Sequence, residues 1–265
     1  MKTGISSASL YPQPTEDAVR FLLEQGVKTL EVFINTPSEI RPGYLAELRR
    51  MTDAWGAEIV ALHPYSSGME SFLFFTDYQR RFDDGVELYK TFFEGVKLLG
   101  GDIVVFHGAH KEHKISPEFY FERYGALWEA ARSMEVRLCH ENVERSVSRS
   151  PGFFKLLRQY LPQAQAVFDV KQAVRAGFDP FRMLEAMGSA VAHIHMSDNA
   201  PGSDCLAPGQ GNMDIPQMLQ TLWYSGYSGA VLTELYRSNY DKIEDLVTSH
   251  RYMQTILDNL KKIPT

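Results

Sequence analysis

Two kinds of hydrophobic pattern alternate along the chain. Short stretches such as "TLEVFI" (29–34), "EIVALH" (58–63), "DIVVFH" (102–107), "AQAVFD" (164–169) and "GAVLTE" (229–234) are apolar on successive residues. Strict alternation would mark a strand with one wet face. Continuous apolar runs mark strands covered on both faces, as in a parallel sheet sheathed by helices. Between them lie longer stretches with apolar residues three and four apart, for example Val86, Tyr89, Phe92, Phe93 and Val96, which gives a helix one buried stripe. Several of these stretches end at glycine (Gly26, Gly56, Gly100, Gly188, Gly226), the residue that most easily takes the left-handed conformation closing a helix. Several begin at Thr15, Ser116-Pro117, Ser150-Pro151 or Asp179-Pro180, as helix starts prefer.

Counting the alternations gives eight strand–helix units. They start at "KTGIS" (2–6) and end with "KIEDLVTSHRYMQTILDNLKK" (242–262), and include "VRLCHE" (136–141) and "AVAHIHM" (190–196). Eight units in 265 residues predict an α/β fold, a single (β/α)8 TIM barrel, which typically takes about 250 residues. An open doubly wound sheet is the other α/β solution, but the glycine-rich phosphate turn of the dinucleotide binders is missing after the first strand. No shift of composition divides the chain, so one domain over residues 1–265 is expected.

Composition narrows the function classes. Net charge is −6 with no long run of one sign, which argues against a nucleic-acid surface built to neutralise phosphates. Two cysteines, Cys139 and Cys205, suit free thiols in a reducing compartment better than a disulfide framework. The opening stretch "MKTGISSASLYPQP" has no apolar core of a secretory leader, and no run approaches the ~20 apolar residues of a membrane span. A soluble cytoplasmic protein is expected, with no membrane partner.

The chemistry collects where the strands stop. The third strand ends at His63, the fourth at His107, the fifth at Glu141, the sixth at Asp169, the seventh near His195 and the eighth at Glu234. In a barrel all these ends meet at one face, where active sites form. One such residue is unremarkable, since a strand-end acid often caps the next helix. Six in succession are different: carboxylates gathered at one point repel unless a cation compensates. Three carboxylates and one imidazole make an oxygen-rich site, favouring Mn²⁺, Mg²⁺ or Co²⁺, with Zn²⁺ also reasonable. His63 and His107 would hold a second ion beside Glu141, or meet the substrate. His193 sits one rung deeper on the same side as His195 and is read as a hydrogen-bonding residue of the barrel.

Taken in order, "LHPY", "VFHGAH", "CHENVER", "VFDV", "HIHMSDN", "APGQGNMD" and "LTELY" resemble the xylose isomerase-like TIM-barrel superfamily of sugar-phosphate isomerases and epimerases, inosose dehydratases and endonuclease IV (AP endonuclease family 2). The resemblance runs through nearly the whole chain. It implies that Glu141, Asp169, His195 and Glu234 are the shared metal ligands, and that His63 and His107 match the pair adding a further metal in the endonuclease branch. Three positions depart from the family. Gln172 stands where a histidine often follows the sixth-strand aspartate. Asp204 is followed by Cys205 where the endonuclease branch has Asp-x-His, and in the "PGQGNMD" loop Gln210 replaces the usual acid.

The implied activity is a metal-dependent isomerase or epimerase of a sugar or sugar phosphate. It would move a proton through an enediolate with Glu141 and Glu234 as the acid–base pair, and a metal-assisted dehydration would use the same parts. An endonuclease IV-like phosphodiesterase and a non-catalytic sugar-binding barrel are the alternatives. Substrate contacts are expected from Lys111, Arg145, Lys171, Gln172 and Asp204, the cations among them offering partners for a phosphate or carboxylate; the loops around them add His110, His113, Lys114 and Arg149. The aromatic run "MESFLFFTDY", with Phe72, Phe74 and Phe75, is read as a lid, as core or as a subunit interface; Tyr236 and Arg237 lie within reach of the pocket or pack on the surface. The resemblance leaves a homodimer or a tetramer open.

Overall fold

The computed structural model describes residues 1–262. Eight parallel strands close into a barrel: β1 (Lys2–Ser6), β2 (Thr29–Phe33), β3 (Glu58–His63), β4 (Ile103–Phe106), β5 (Arg137–Glu141), β6 (Gln165–Asp169), β7 (Val191–Met196) and, after an antiparallel hairpin of β8 (Asp198–Ala200) and β9 (Ser203–Leu206), β10 (Ala230–Thr233). Each barrel strand pairs with its sequence neighbour, and β10 closes against β1 through Lys2↔Ala230 to Ile5↔Thr233. Among the described residues ten α-helices surround this cylinder: α1 (Thr15–Glu24), α2 (Pro42–Ala54), α3 (Glu70–Phe74), α4 (Gln79–Leu98), α5 (Pro117–Ser133), α6 (Pro151–Tyr160), α7 (Val170–Arg175), α8 (Pro180–Met187), α9 (Ile215–Tyr224) and α10 (Ile243–Leu260). None is long and apolar enough to cross a membrane.

The burial pattern explains the continuous apolar runs. One set of strand residues meets the helices in a large shell that includes Leu30, Leu62, Val104, Phe106, Leu138, Phe168 and Ile194. The other set points inward. A small cluster of Ala61, Ile103, Val105, Cys139, Val167 and Ala192 fills the barrel interior. Because side chains alternate along a strand, the residues two places beyond Ala61, Val105, Cys139 and Val167 share that inward face: His63, His107, Glu141 and Asp169. The interior is thus apolar below and polar at the mouth. Gly4 is required where β1 crosses β2, since a Cβ there would lie 2.0 Å from the Thr29 carbonyl oxygen.

The expected helix starts divide. The Ser116 hydroxyl and the Asp179 carboxylate accept from the Phe119 and Arg182 amides, as caps should. Ser150 makes no such bond. Thr15 is the first residue inside α1, and its hydroxyl donates to Phe33 O and Glu39 instead. Gly26, Gly56, Gly100, Gly188 and Gly226 all have positive φ at helix ends, as read. The aromatic run splits. Phe74 and Phe75 are core residues packed on Phe106, Tyr89 and Tyr120, so they form no lid, while Phe72 is 59% exposed beneath the Arg81 guanidinium at 3.9 Å. Cys139 and Cys205 are free and buried.

One buried acid fixes the loop after β4. Glu70 opens α3 with no exposed surface. Its Oε2 accepts from the His107 and Gly108 amides at 2.7 and 2.5 Å, and its Oε1 from the Tyr89 hydroxyl. Three donors converge on this carboxylate, so its loss leaves all three buried and unpaired. Glu70→Ala is expected to lower stability by about 3 kcal/mol, measured by denaturant titration, with a fall in Tm of roughly 10 °C.

Candidate metal centre

The inward residues of β5, β6, β7 and β10 meet at a single nitrogen. His195 Nδ1 lies 3.0 Å from Glu141 Oε1, 2.9 Å from Glu234 Oε2 and 3.7 Å from Asp169 Oδ2. Pairing in register explains the approach: Asp169 lies beside His195 across β6 and β7, and His195 beside Leu232 across β7 and β10. All four residues are buried. An imidazole nitrogen carries at most one proton, yet three carboxylates face this one. Glu234 Oε2 has no hydrogen bond despite its proximity. Glu141, Asp169 and His195 also present ligand atoms within 4.8 Å of one another. A divalent cation suits this donor set, which leaves an orphaned carboxylate oxygen and a surplus of negative charge.

The opposite edge of His195 is held by a residue that strand-end reasoning passed over. Glu31, in the middle of β2, is completely buried. Its Oε2 accepts from His195 Nε2 and His193 Nε2, each at 3.0 Å, and its Oε1 accepts from the Ser6 hydroxyl at 2.9 Å and lies 3.7 Å from His63 Nδ1. A proton fixed on Nε2 leaves the Nδ1 lone pair aimed at the three carboxylates, the arrangement in which a ligand histidine is oriented by an acid behind it. A buried acid within an apolar run was the available signal, and "TLEVF" carried it. His193 is therefore a partner of Glu31 and not a member of the carboxylate group.

His63 and His107 stand beside this centre. Their Nε2 atoms are 2.8 Å apart, and His107 Nε2 is 2.7 Å from Glu141 Oε2. The two oxygens of Glu141 thus face His195 and His107 separately. The three side chains form a second group able to hold a metal.

Burial raises the cost of charge at every acid here; the neighbours reverse it at Glu31, Glu141 and Glu234, while Asp169 stays raised by its burial in spite of Lys171 and His195. Burial alone would push Glu31 up, but His195, His193 and His63 hold it well below the usual carboxylate range. Glu141 is held low in the same way by His107 and His195. Glu234 is lowered to about 2 by His195 and Lys171. Burial would depress His195, yet Glu234, Glu31, Asp169 and Glu141 keep it well above its usual value.

A family model described as "Xylose isomerase-like TIM barrel" matches residues 19–262. The chain belongs to the xylose isomerase-like barrel family. Its relatives include the fructoselysine 3-epimerase of Escherichia coli O157:H7, 21% identical with 89% of this chain and 90% of that protein covered. An uncharacterized protein of Mycobacterium tuberculosis is 22% identical, with 90% of each covered. Among solved structures, a D-tagatose 3-epimerase-like protein superposes with TM-score 0.80 at 20% identity over 99% of both chains. The IOLI protein with a zinc atom bound gives 0.76 at 18% identity over 99% of this chain and 100% of that one. These likenesses establish the shared fold.

The remaining candidates of this family member are distributed unevenly. Lys171 is buried against the centre, its Nζ donating to Asp169 and, at 2.9 Å, to Glu234 Oε1. Gln172 accepts from the Glu144 amide at 3.0 Å and donates to the Tyr236 hydroxyl at 3.3 Å. Lys111 pairs with Glu144 at 2.5 Å, and Asp204 takes a two-pronged ion pair from Arg175 at 2.6 and 3.0 Å. Arg145 is exposed. His113 bonds Ser71, Arg149 the Ala176 carbonyl and Arg237 the Tyr240 carbonyl. Asp198, the acid that follows "HIHMS", gathers the amides of Asn199, Gly209, Gly211 and Met213 and so ties down the loop holding the exposed Gln210. A cavity of about 870 Å³ opens at the other end of the barrel, and four of its charged groups pair with each other, Lys2 with Glu58 and Arg137 with Asp102.

Glu31, Glu141 and Glu234 bind protons more weakly in the folded protein than when unfolded. Their contribution to stability is therefore complete above about pH 4.5 and is lost as pH falls below the usual carboxylate range, at Glu234 as pH approaches about 2. Thermal melts of metal-free protein are expected to show Tm falling through this window, and replacing Glu234 by Gln should flatten the slope.

Proposed function

We propose that the protein is a divalent-metal-dependent isomerase or epimerase acting on a sugar or sugar phosphate, by proton transfer at a carbon beside a carbonyl. The observation that carries this reading is the convergence of Glu141, Asp169 and Glu234 from three strands on Nδ1 of His195, with Glu31 behind that imidazole. Glu141, Asp169, His195 and Glu234 would hold the cation, with Mn²⁺, Mg²⁺, Co²⁺ or Zn²⁺ suited to the donors. When bound, it supplies the positive charge that makes a C–H beside a carbonyl acidic enough to lose its proton. Relatives named as fructoselysine 3-epimerase and a solved D-psicose 3-epimerase support the reaction class, and the zinc of the IOLI protein supports the metal.

Glu141 and Glu234 are the acid–base pair. They enter from β5 and β10, separated by β6 and β7 around the cylinder, and reach the same nitrogen from different sides. One takes the proton from one face of the substrate. The other returns a proton to the opposite face for epimerisation, or to the neighbouring carbon for isomerisation, through an enediolate. Asp169 and His195 act as ligands. His63 and His107 would accommodate a second ion or a substrate hydroxyl. Of the cations considered for a phosphate, Lys111 and Lys171 are already paired, which favours Arg145 and Lys114 to meet one. The phosphodiesterase alternative loses support because Gln172 and Asp204, at the positions of its further metal ligands, bond Tyr236 and Arg175.

Purified protein loaded with Mn²⁺ is expected to exchange solvent deuterium into a ketose such as D-fructose or D-tagatose, read by NMR. Glu141→Gln and Glu234→Gln should each slow exchange on the order of a thousandfold; a parent protein inert toward ketoses and their phosphates would overturn the reading. Independently, Glu31→Gln should weaken Co²⁺ binding by roughly 10- to 100-fold, followed by the visible absorption of the bound ion. Equal affinity would show that Glu31 does not orient His195.

A further inference from the structure

Lys171 is 2% exposed, an unusual position for an ammonium group, which favours water strongly. Its backbone lies in the short helix α7, and its side chain enters the mouth of the barrel, 5.5 Å from the centre of the Tyr236 ring. Two of its three N–H groups are used, on Asp169 and on Glu234 Oε1. Among the described residues the third has no acceptor. A purely structural ion pair has no need to stand among the ligands of a cation, and this one does. The two oxygens of Glu234 are divided between Lys171 and the space beside His195 Nδ1. Asp169 Oδ2 is shared between Lys171 and the same space. A substrate oxygen held beside these two carboxylates would face Nζ.

The adjacent Gln172 uses its oxygen on the Glu144 amide and one N–H on Tyr236 and is uncharged, whereas Lys171 carries a full charge among the carboxylates. We propose that Lys171 is a catalytic residue: its free N–H donates to the substrate carbonyl oxygen and stabilises the negative charge that develops there. The inference rests on the proton-transfer reading above. In the step, the C–H bond beside the carbonyl breaks and its proton passes to Glu141 or Glu234. The electron pair left behind forms the new C=C bond, while the carbonyl π pair moves onto oxygen. Lys171 keeps its own proton throughout and contributes a charge-assisted hydrogen bond, strongest when the oxygen is most negative.

The test compares the Mn²⁺-loaded parent with Lys171→Met, which keeps the length and loses the charge and the donor. Solvent-deuterium exchange into D-fructose and D-tagatose gives kcat and KM; a separate titration gives Mn²⁺ affinity. The expected result is a fall in kcat on the order of a hundredfold or more, KM changed by only a few-fold, and Mn²⁺ bound at least as tightly because a competing cation is gone. Lys171→Arg should recover part of kcat. Undiminished kcat with altered Mn²⁺ affinity would reduce Lys171 to a partner of the carboxylates and overturn the inference. Should Lys171→Met fail to fold, Lys171→Gln, which keeps an uncharged N–H, is judged by the same two numbers. Exchange absent from the parent overturns the proton-transfer reading and this inference with it; exchange intact in both parent and variant overturns this inference alone.

Discussion

Four carboxylates buried in the mouth of one barrel set the terms for the rest of the molecule. Glu31, Glu141, Asp169 and Glu234 are all removed from bulk water, where an unpaired charge costs several kcal/mol. Lys171 and the N–H edges of the imidazoles turned toward these acids offset only part of this charge. The surrounding groups are placed to answer the remainder: His193 and His195 on one oxygen of Glu31, His107 and His195 on separate oxygens of Glu141, Lys171 between Asp169 and Glu234. A cation beside His195 would complete that balance.

The barrel makes this concentration of charge tolerable. Small apolar side chains fill the interior one layer below, and the helices seal the outside with a continuous hydrophobic shell. Apart from Glu31 in the middle of β2, the buried acids of the centre lie in the layer where strands end and loops begin. Rigid strands also keep like charges from relaxing apart, since each acid is fixed by pairing over several residues. The loops add their own constraints: Glu70 ties the segment carrying His107, and Asp198 ties the segment after β9. Both are acids that gather backbone amides, Glu70 together with the Tyr89 hydroxyl, and both hold the rim of the site without belonging to it.

The two histidine pairs show how one residue type serves different ends. His195 presents one edge to the carboxylates and the other to Glu31. His193, two residues earlier on the same face, reaches only Glu31. His63 and His107 contact each other and extend the polar floor toward β3 and β4. Depth in the barrel separates these roles, because a residue one rung lower meets the apolar layer and a single acid, while a residue at the rim meets several.

Much of this was readable from the chain alone. Runs apolar on consecutive residues gave strands covered on both faces, their number gave a closed barrel, and the residue types at strand ends gave Glu141, Asp169, His195 and Glu234 as one group. Those inferences depend on local periodicity and on a topology with few alternatives. Glu31 escaped because it lies mid-strand and its partners are 162 and 164 residues away. Nothing local distinguishes it from an acid that happens to interrupt an apolar run. The sequence likewise offered Lys111, Lys171 and Asp204 as equivalent substrate contacts. Only the packed structure showed two of them neutralised at the rim and Lys171 drawn into the carboxylates, since which charges meet depends on distances between strands and loops that no spacing along the chain encodes.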